Sequence, residues 1–555
     1  MVEKGDAVLS PSSPPSTLHR SRVNEASQGR VRIFAAERIL AMDGSEPESF
    51  ATRGDRIIAT GPRAAMMEQY RDAELVDLEG ALVVPGFNDA HCHPSQAALA
   101  RVRVDLTAVS SPAGVREALA QRLKSPASTE WVIAQAFDER LVGENVVDRK
   151  FLDTISATQP IVVVHYSFHR AVANSRALEQ IGYRTARDAP SGGELLVDAD
   201  GELNGWMFER AWLDPWLPGR GRESIAAGGE ISARIAALGQ ITEELHAVGI
   251  TSYCDAIVTP VEQEMYAAAL ADGSLTTRVN MLLWHSYFDE TAPIAPASNR
   301  LQVAGVKMML DGALSGGTCL CRQPYARESG TDNGLQILSD EELRAEIGRV
   351  HSAGMRAAVH ANGDRAIEKV LEVVESLPAR PDGITINHRI EHCSIVDEQL
   401  IRRLKQAQIM ALPFSAFVHL YGEKIASYYG DDRARMTSAH KSMLDAGLVV
   451  GGSFDYPLVP INPLLGIQSM VTRESTSGQV VGPDQRLSVI QALGVYTTGS
   501  SHATGEGSIK GRLTPGHLAD FVVLDKDLTA IDAHEIVDVK VRSTWVGAEQ
   551  VWAAS

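Results

Sequence analysis

The chain is poor in cysteine and has no long apolar run. Five cysteines among 555 residues are too few for a disulfide framework, and this scarcity indicates a reducing compartment, the cytoplasm. No window of about 20 uninterrupted apolar residues occurs, so we expect no membrane-spanning helix. Basic residues are also scarce, because 52 Lys and Arg stand against 70 Asp and Glu. Nucleic-acid binders need the opposite balance to contact phosphates, so we expect no nucleic-acid partner.

The rest of the composition is that of a folded protein with a large core. Hydrophobic residues make up 44 % of the chain and charged residues 22 %. Residues 1–30 differ, since they are rich in Ser and Pro and lack the apolar stretch of a secretory signal. We predict that they form a flexible tail, or partly an arm onto a neighbouring subunit.

Short apolar runs separated by turn residues follow the tail and recur at the other end of the chain. VRIFAAERIL, ESFATRG and DRIIATG are the first of them, and GRLTPGHLADFVVLDKD and EQVWAAS are among the last. Such runs are typical of a small β-sheet. We therefore predict that residues 31–81 and 504–555 together form one small β-sandwich, with residues 82–503 inserted between them.

The middle of the chain contains eight apolar, β-branched runs that alternate mostly with helix-like segments. They are residues 82–90, 250–257, 278–285, 303–310, 356–361, 385–392, 409–414 and 448–455. Eight such units are the number in a closed parallel (β/α)8 TIM barrel, and we predict this α/β fold. An open doubly wound sheet is the alternative, but the Gly-rich phosphate loop that would suit it does not follow an early strand.

One connection, between the first and second runs, is too long for a single βα unit. Residues from about 94 to 223 contain the strand-like runs WVIAQAF and IVVVHYS and a Trp-rich piece with Trp206, Trp212 and Trp216. We predict an insertion after the first strand, on the side where barrel active sites form. The tryptophans are expected to build the insertion's own core, and an apolar substrate pocket is the alternative.

Six residues suited to metal chemistry lie at or near the predicted carboxyl ends of barrel strands, where barrel enzymes have their active sites. They are His91, His93, Lys307, His360, His392 and Asp455. His91 and His93 are two positions apart on a strand, so they point the same way and can reach one ion together. Imidazole and carboxylate suit Zn²⁺, Mn²⁺, Fe²⁺ or Co²⁺. We predict one or two divalent ions, with zinc preferred.

Lys307 is unusual in this group, because an ammonium has three donors and no lone pair for a metal. Addition of CO₂ to its amine would give a carbamate, whose two oxygens can bridge two cations. The alternative is a protonated lysine that pairs with Asp311 or with the substrate.

The motifs around these residues are specific to a known family. They are GFNDAHCHP, GVKMMLDGA, AAVHANGD, INHRIEHC and GGSFDYP, with GRLTPGHLADFVVLD near the C-terminus. Together they resemble the amidohydrolase superfamily. HRAVANSRAL, which begins at His169, and SGGELLVDADGELNGWMFERA, which contains Glu209, are similar to elements of its YtcJ-like branch.

The resemblance implies a metal-dependent barrel with a β-sandwich made from both chain ends, a carbamate on Lys307, and a homo-oligomer, dimeric or larger. It also implies that Asp455 accepts a proton as hydroxide attacks and then delivers it to the departing amine. His169, Glu209 and Asn362 are further candidates for holding the substrate or orienting the ligands.

We therefore predict an enzyme, a metal-dependent hydrolase that cleaves a carbon–nitrogen bond of amide type in a small molecule. Hydrolysis of a lactone, carbamate or other ester, or deamination of a ring, is an alternative on the same metal core. An inactive scaffold is an alternative of another class, although retention of all six candidate residues argues against it. A serine hydrolase is poorly supported, because no G-x-S-x-G elbow occurs.

Overall fold

The computed structural model describes most of the chain. The described ranges are residues 29–124, 131–143, 146–217, 224–225, 230–289, 299–326, 332–379, 383, 385–459 and 461–554. Residues 1–28, nearly all of the predicted tail, lie outside them. Within the described ranges, no helix combines the length and the apolar character needed to cross a membrane.

Seven parallel strands form the barrel sheet, and their order in the sheet follows their order in the chain. They are Phe87–Cys92, Ile250–Val258, Arg278–Trp284, Leu301–Met309, Ala357–Ala361, Arg389–His392 and Met410–Leu412. The predicted α/β barrel is confirmed. Helices lie before, between and after these strands, including Pro94–Arg101, Ile231–Ala247, Pro260–Asp272, Asp340–Ser352, Asp364–Glu375, Glu398–Gln406, Phe417–Tyr429, Asp431–Arg435, His440–Asp445, Pro463–Thr472 and Val489–Gly494.

The eighth predicted strand occupies its expected place without regular strand geometry. On one side the amide of Ala411 donates to the carbonyl of Val449 over 3.1 Å, and on the other the amide of Ala90 donates to the carbonyl of Gly452 over 2.9 Å. The segment thus joins the last strand to the first and completes the ring. The segment ends at Asp455, whose backbone is left-handed with φ of 62°.

Both chain ends contribute to a β-sandwich of two four-stranded sheets. One sheet contains Val31–Ala35, Ser49–Arg53, Arg56–Gly61 and Glu74–Asp77, and the other contains Leu82–Pro85, Phe521–Leu524, Val541–Val546 and Glu549–Ala553. Four aromatic rings fill the space between them. Phe34 stacks on Phe50 with centroids 5.3 Å apart, and Phe521 stacks on Trp545 at the same separation.

The run predicted as one barrel strand at residues 82–90 is divided between the sandwich and the barrel. Leu82–Pro85 pairs antiparallel with Phe521–Leu524 of the sandwich, and only Phe87–Cys92 belongs to the barrel. Gly86 separates the two strands at a close approach, since a Cβ there would lie 2.2 Å from the side chain of Thr251. This pairing favours a boundary at Gly86 rather than at residue 82.

The long connection after the first barrel strand contains a six-stranded sheet of its own. Its strands are Val104–Asp105, Val132–Phe137, Ile161–His165, Arg170–Ala173, Gly193–Val197 and Leu203–Glu209. Helices Pro112–Leu123, Ser175–Ile181 and Arg210–Trp216 accompany it. Trp206, Trp212 and Trp216 are buried in the apolar clusters of this region, so they contribute to its core.

Candidate metal centre

The two ends of the barrel ring bring His91, His93 and Asp455 together. Oδ1 of Asp455 lies 3.0 Å from Nε2 of His93 and 3.4 Å from Nε2 of His91. One potential ligand atom from each of the three residues can be chosen so that all lie within 4.8 Å of one another. A backbone hydrogen bond of 3.2 Å from the amide of Asp455 to the carbonyl of His91 fixes this register.

His360 and His392, at the ends of the fifth and sixth strands, lie beside this trio. The ring centroids of His360 and His392 are 4.1 Å apart, and those of His91 and His392 are 5.0 Å apart. Both ring nitrogens of His392 and Nε2 of His91 are buried and have no hydrogen-bond partner among the described residues. Such unpaired buried groups cost free energy. A cation at this position would provide the missing partner, so the donor set fits a metal.

The electrostatics of these residues favour the forms that bind a cation. Burial holds the pKa values of His360 and His392 well below the usual value, which keeps both imidazoles neutral and able to ligate. Burial alone would raise the pKa of Asp455, but the adjacent imidazoles of His91 and His93 outweigh it and hold that pKa far below its usual range.

Lys307 lies on the fourth strand with its side chain turned into the same interior, where it is 1 % exposed. Burial lowers the pKa of Lys307 to about 8, although the nearby carboxylates of Glu391 and Asp455 act in the opposite direction. No ion pair joins Lys307 to Asp311 within the described ranges. Asp311 instead accepts backbone hydrogen bonds from Leu320, Asn362 and Gly363, each 2.9 Å long.

Glu391 is a site residue whose role the sequence did not reveal. Its carboxylate contacts Nδ1 of His91 and is paired with Arg389, and all three side chains are fully buried. Burial alone would raise the pKa of Glu391, but Arg389 and His91 drive it far below the usual range. A carboxylate on Nδ1 fixes the tautomer of His91, which leaves Nε2 directed toward Asp455. The signal in the sequence was the two-residue spacing of Arg389 and Glu391 on one strand face.

Asn362 contacts the candidate ligand His360 and neighbouring protein groups. Its Nδ2 lies 3.0 Å from Nε2 of His360 and donates to the carbonyl of Gly312 at 3.0 Å, while its Oδ1 accepts a 2.6 Å hydrogen bond from Ser394. Both ends of the amide are therefore engaged with protein groups. This arrangement favours orientation of His360 over direct contact with a substrate.

The insertion contributes His169 and Glu209, the other two residues considered for substrate binding. Nδ1 of His169 lies 3.0 and 3.2 Å from the two carboxylate oxygens of Glu209. Burial alone would lower the pKa of His169, but Glu209 raises it, helped by Asp455 and Asp311. The charges of these two carboxylates thus act on His169, and the insertion packs on the ends of barrel strands through Ile257, Trp284 and Tyr287.

The fold and the histidine-rich strand ends define a metal-dependent hydrolase built on a TIM barrel. The chain belongs to the amidohydrolase family, which residues 74–552 match. It is therefore an enzyme, and the family implies a divalent metal.

Curated relatives and solved structures agree with this membership. The chain is 28 % identical over 526 residues to YtcJ of Bacillus subtilis, which carries the name of an amidohydrolase, covering 92 % of this chain and 97 % of that protein. It is 26 % identical over 497 residues to an N-substituted formamide deformylase of Arthrobacter pascens, covering 86 % and 89 %. An uncharacterized metal-dependent hydrolase from Pyrococcus horikoshii superposes with a TM-score of 0.72 at 23 % identity, covering 91 % of this chain and 99 % of that one, which supports the fold.

Proposed function

We propose that this enzyme hydrolyses a carbon–nitrogen bond of amide type in a small molecule. The observation that carries the proposal is the convergence of His91, His93 and Asp455 within 4.8 Å, beside the two buried ring nitrogens of His392, which have no hydrogen-bond partner in the described part of the chain. The similarity to an N-substituted formamide deformylase makes amides the first choice of substrate. The proposed ligands of one or two divalent ions, preferably zinc, are His91, His93, Lys307, His360, His392 and Asp455.

Asp455 is proposed to move the proton of the reaction. When bound, a divalent cation supplies hydroxide at neutral pH, because it lowers the pKa of water from about 16 towards 7. Asp455 rests as a carboxylate, which is the form that would accept the proton as the nucleophile attacks. It then delivers that proton to the departing nitrogen, because an amide nitrogen leaves poorly unless it is protonated. General acid–base help of this kind contributes about 10²- to 10⁴-fold.

Lys307 is proposed to ligate as a carbamate. Its Nζ would attack CO₂ and lose one proton, giving a carboxylate-like group that can bridge two cations. The lowered pKa, about 8, supports this step, since only the unprotonated amine reacts. The family resemblance further supports a homo-oligomer, and the scarcity of cysteine supports a cytoplasmic location.

A metal assay joined to a substrate panel tests the proposal. Purified protein is stripped with a chelator, reloaded with Zn²⁺ and tested on N-substituted formamides, N-acyl amino acids, lactones and an aminated ring. We expect metal-dependent turnover of at least one amide. Turnover of lactones or rings alone would favour the alternative chemistries, and less than one equivalent of metal without metal-dependent turnover would favour an inactive scaffold.

A further inference from the structure

The loop that carries His169 is held rigidly by the rest of the insertion. It connects strands Ile161–His165 and Arg170–Ala173. The indole nitrogen of Trp212 donates to the carbonyl of Phe168 over 2.9 Å, and the ring of Phe168 packs edge-on against Trp212 and Trp216, with centroid separations of 5.7 and 5.5 Å. The position of His169 is therefore fixed before any ligand arrives.

Two of the positions with a strained backbone lie at this point. Phe168, which precedes His169, has φ of 63°, and Glu209 has φ of 46°. Residues other than glycine adopt such conformations only where the surrounding structure imposes them, and they cluster at functional sites. A 2.9 Å hydrogen bond from the amide of Glu209 to the carbonyl of His169 joins the two strained segments. The fold thus maintains an unfavourable geometry that aligns this pair.

One ring nitrogen of His169 is left available. Nδ1 is engaged by the two oxygens of Glu209, whereas Nε2 has no hydrogen-bond partner among the described residues. A fifth of the side chain, 20 %, is exposed, so a small molecule can reach it. Because Glu209 occupies Nδ1, the protonated ring offers an N–H donor at Nε2.

The loop of His169 lies at the carboxyl ends of barrel strands, because Trp212 and Trp216, which pack against Phe168, share an apolar cluster with Ile257, Trp284 and Tyr287 at those ends. Glu209 lies on its own sheet, while Asp455, Asp311 and His360 lie at the ends of barrel strands and are coupled to it electrostatically. The candidate ligands therefore lie on the barrel side of the site, and His169 lies on the insertion side. A substrate between them would meet the metal centre on one side and the imidazole on the other.

We propose that His169, held by Glu209, is a catalytic residue that donates a hydrogen bond from Nε2 to the carbonyl oxygen of the substrate as that oxygen gains negative charge. This inference rests on the proposed function. As hydroxide forms its bond to the carbonyl carbon, the π electron pair moves onto the oxygen that His169 holds. The pair then returns, the C–N bond breaks, and the nitrogen leaves with the proton from Asp455, while His169 keeps its own proton throughout.

The assignment narrows the substrate class. A fixed cationic donor of this kind stabilises an oxygen that develops charge, as donors of an oxyanion hole do. A carbonyl compound has that oxygen at the attacked carbon, whereas an aminated ring carbon does not. The insertion therefore favours substrates that are attacked at a carbonyl carbon, amides among them, over ring deamination.

The test compares the zinc-loaded wild type with two variants and a control. His169→Gln should lower kcat by about 10²- to 10³-fold, the range seen on loss of one oxyanion donor, with KM little changed and zinc content unchanged. Glu209→Gln keeps the shape of the side chain but removes the charge that raises the pKa of His169. His169 should therefore lose its proton at a lower pH in this variant, and the alkaline fall in activity should begin at a lower pH than in the wild type. His534→Gln is the control, because His534 pairs with Asp532 and Glu474 on the surface.

A second measurement uses methylphosphonate, a tetrahedral anion, titrated calorimetrically into the same zinc-loaded proteins. Its affinity should fall at least tenfold in His169→Gln and remain unchanged in His534→Gln. The inference would be overturned if His169→Gln kept the kcat of the wild type. If that variant does not fold, an alkaline limb of the pH profile that is unshifted in Glu209→Gln would overturn it instead. Either result leaves the proposed hydrolase intact. If the wild type hydrolyses no amide, the proposed function fails, and equal methylphosphonate affinities would then overturn the role of His169 separately.

Discussion

The carboxylate of Asp455 lies 3.0 Å from Nε2 of His93, although 362 positions separate the two residues in the chain. Closure of the barrel causes this proximity, because the segment that carries Asp455 hydrogen-bonds to the first strand at Ala90 and His91. The first and last elements of the ring thus supply one site. The candidate centre can form only when the whole barrel has folded.

Replacement of Asp455 by Asn tests its proton role. The amide keeps the shape of the side chain and one oxygen but can no longer accept a proton, so kcat should fall by at least about 10²-fold. The five remaining candidate ligands should retain most of the metal. Steady-state kinetics and metal analysis on the same preparation give both values, and near-normal turnover would remove Asp455 from the proton transfers.

Replacement of Glu391 by Gln tests the support of His91. The variant loses the charge that orients the imidazole and leaves Arg389 buried without its partner, so zinc affinity should fall about 10- to 100-fold. Competition against a chelator measures this change. Glu549→Gln is the matched control, since Glu549 pairs with Arg32 on the surface and is 71 % exposed. Equal zinc affinities in the two variants would show that Glu391 does not support the centre.

Lys307 should make loading of the metal centre depend on CO₂. Reloading the stripped wild type with Zn²⁺ should give more bound metal with bicarbonate than in CO₂-free buffer, and Lys307→Gln should show no such dependence. Because the pKa of Lys307 is lowered to about 8, the reactive amine increases as pH rises through that value. At a fixed concentration of dissolved CO₂, activation should therefore be faster at alkaline pH than at neutral pH. Zinc loading that does not respond to bicarbonate would argue against the carbamate.

The buried ion pair between Arg278 of the barrel and Asp520 of the sandwich should stabilise the fold. Nε of Arg278 lies 2.6 Å from Oδ2 of Asp520, and their side chains are only 2 % and 3 % exposed. Asp520→Asn leaves the guanidinium buried without a counter-charge, which costs about 3–5 kcal/mol. Thermal unfolding of the two proteins measures the difference.

The same pair predicts a dependence on pH. Burial alone would raise the pKa of Asp520, but Arg278 outweighs it and lowers that pKa. The stability that this ion pair contributes is therefore fully present above about pH 4, the pKa of an aspartate in the unfolded chain. It is lost as pH falls through the lower pKa of Asp520 in the folded protein. Acidification should cost the wild type more stability than Asp520→Asn. Asp77→Asn is the control, because Asp77 is 62 % exposed in its pair with Arg63, and it should change stability by less than about 0.5 kcal/mol. Parallel acid profiles in all three proteins would contradict this assignment.

Much of the barrel and the residue types of the candidate centre could be predicted from the sequence. Buried parallel strands appear as apolar runs, and the carboxyl ends of all such strands meet on one side. His91 and His93 could be paired from their two-residue spacing alone. The division of residues 82–90 could not be predicted, because both halves are buried and only the antiparallel pairing of Leu82–Pro85 with the C-terminal strand separates them.

The partners of the site residues also depend on contacts that one sequence does not display. His169 and Glu209 are 40 positions apart, and they meet because Arg170 pairs with Phe208 in the antiparallel register of the insertion sheet. His91 and Glu391 are 300 positions apart and meet across the barrel. Residue type and spacing indicated what these side chains can do, whereas register and barrel closure decide which of them touch.

The most direct test of the central claim is a crystal structure of the zinc-loaded enzyme with anomalous scattering measured at the zinc edge. We predict an anomalous peak bonded to His91, His93 and Asp455 at about 2.0–2.2 Å, within reach of Lys307, His360 and His392. A zinc peak elsewhere in the molecule, with His93 and Asp455 unligated, would contradict the account.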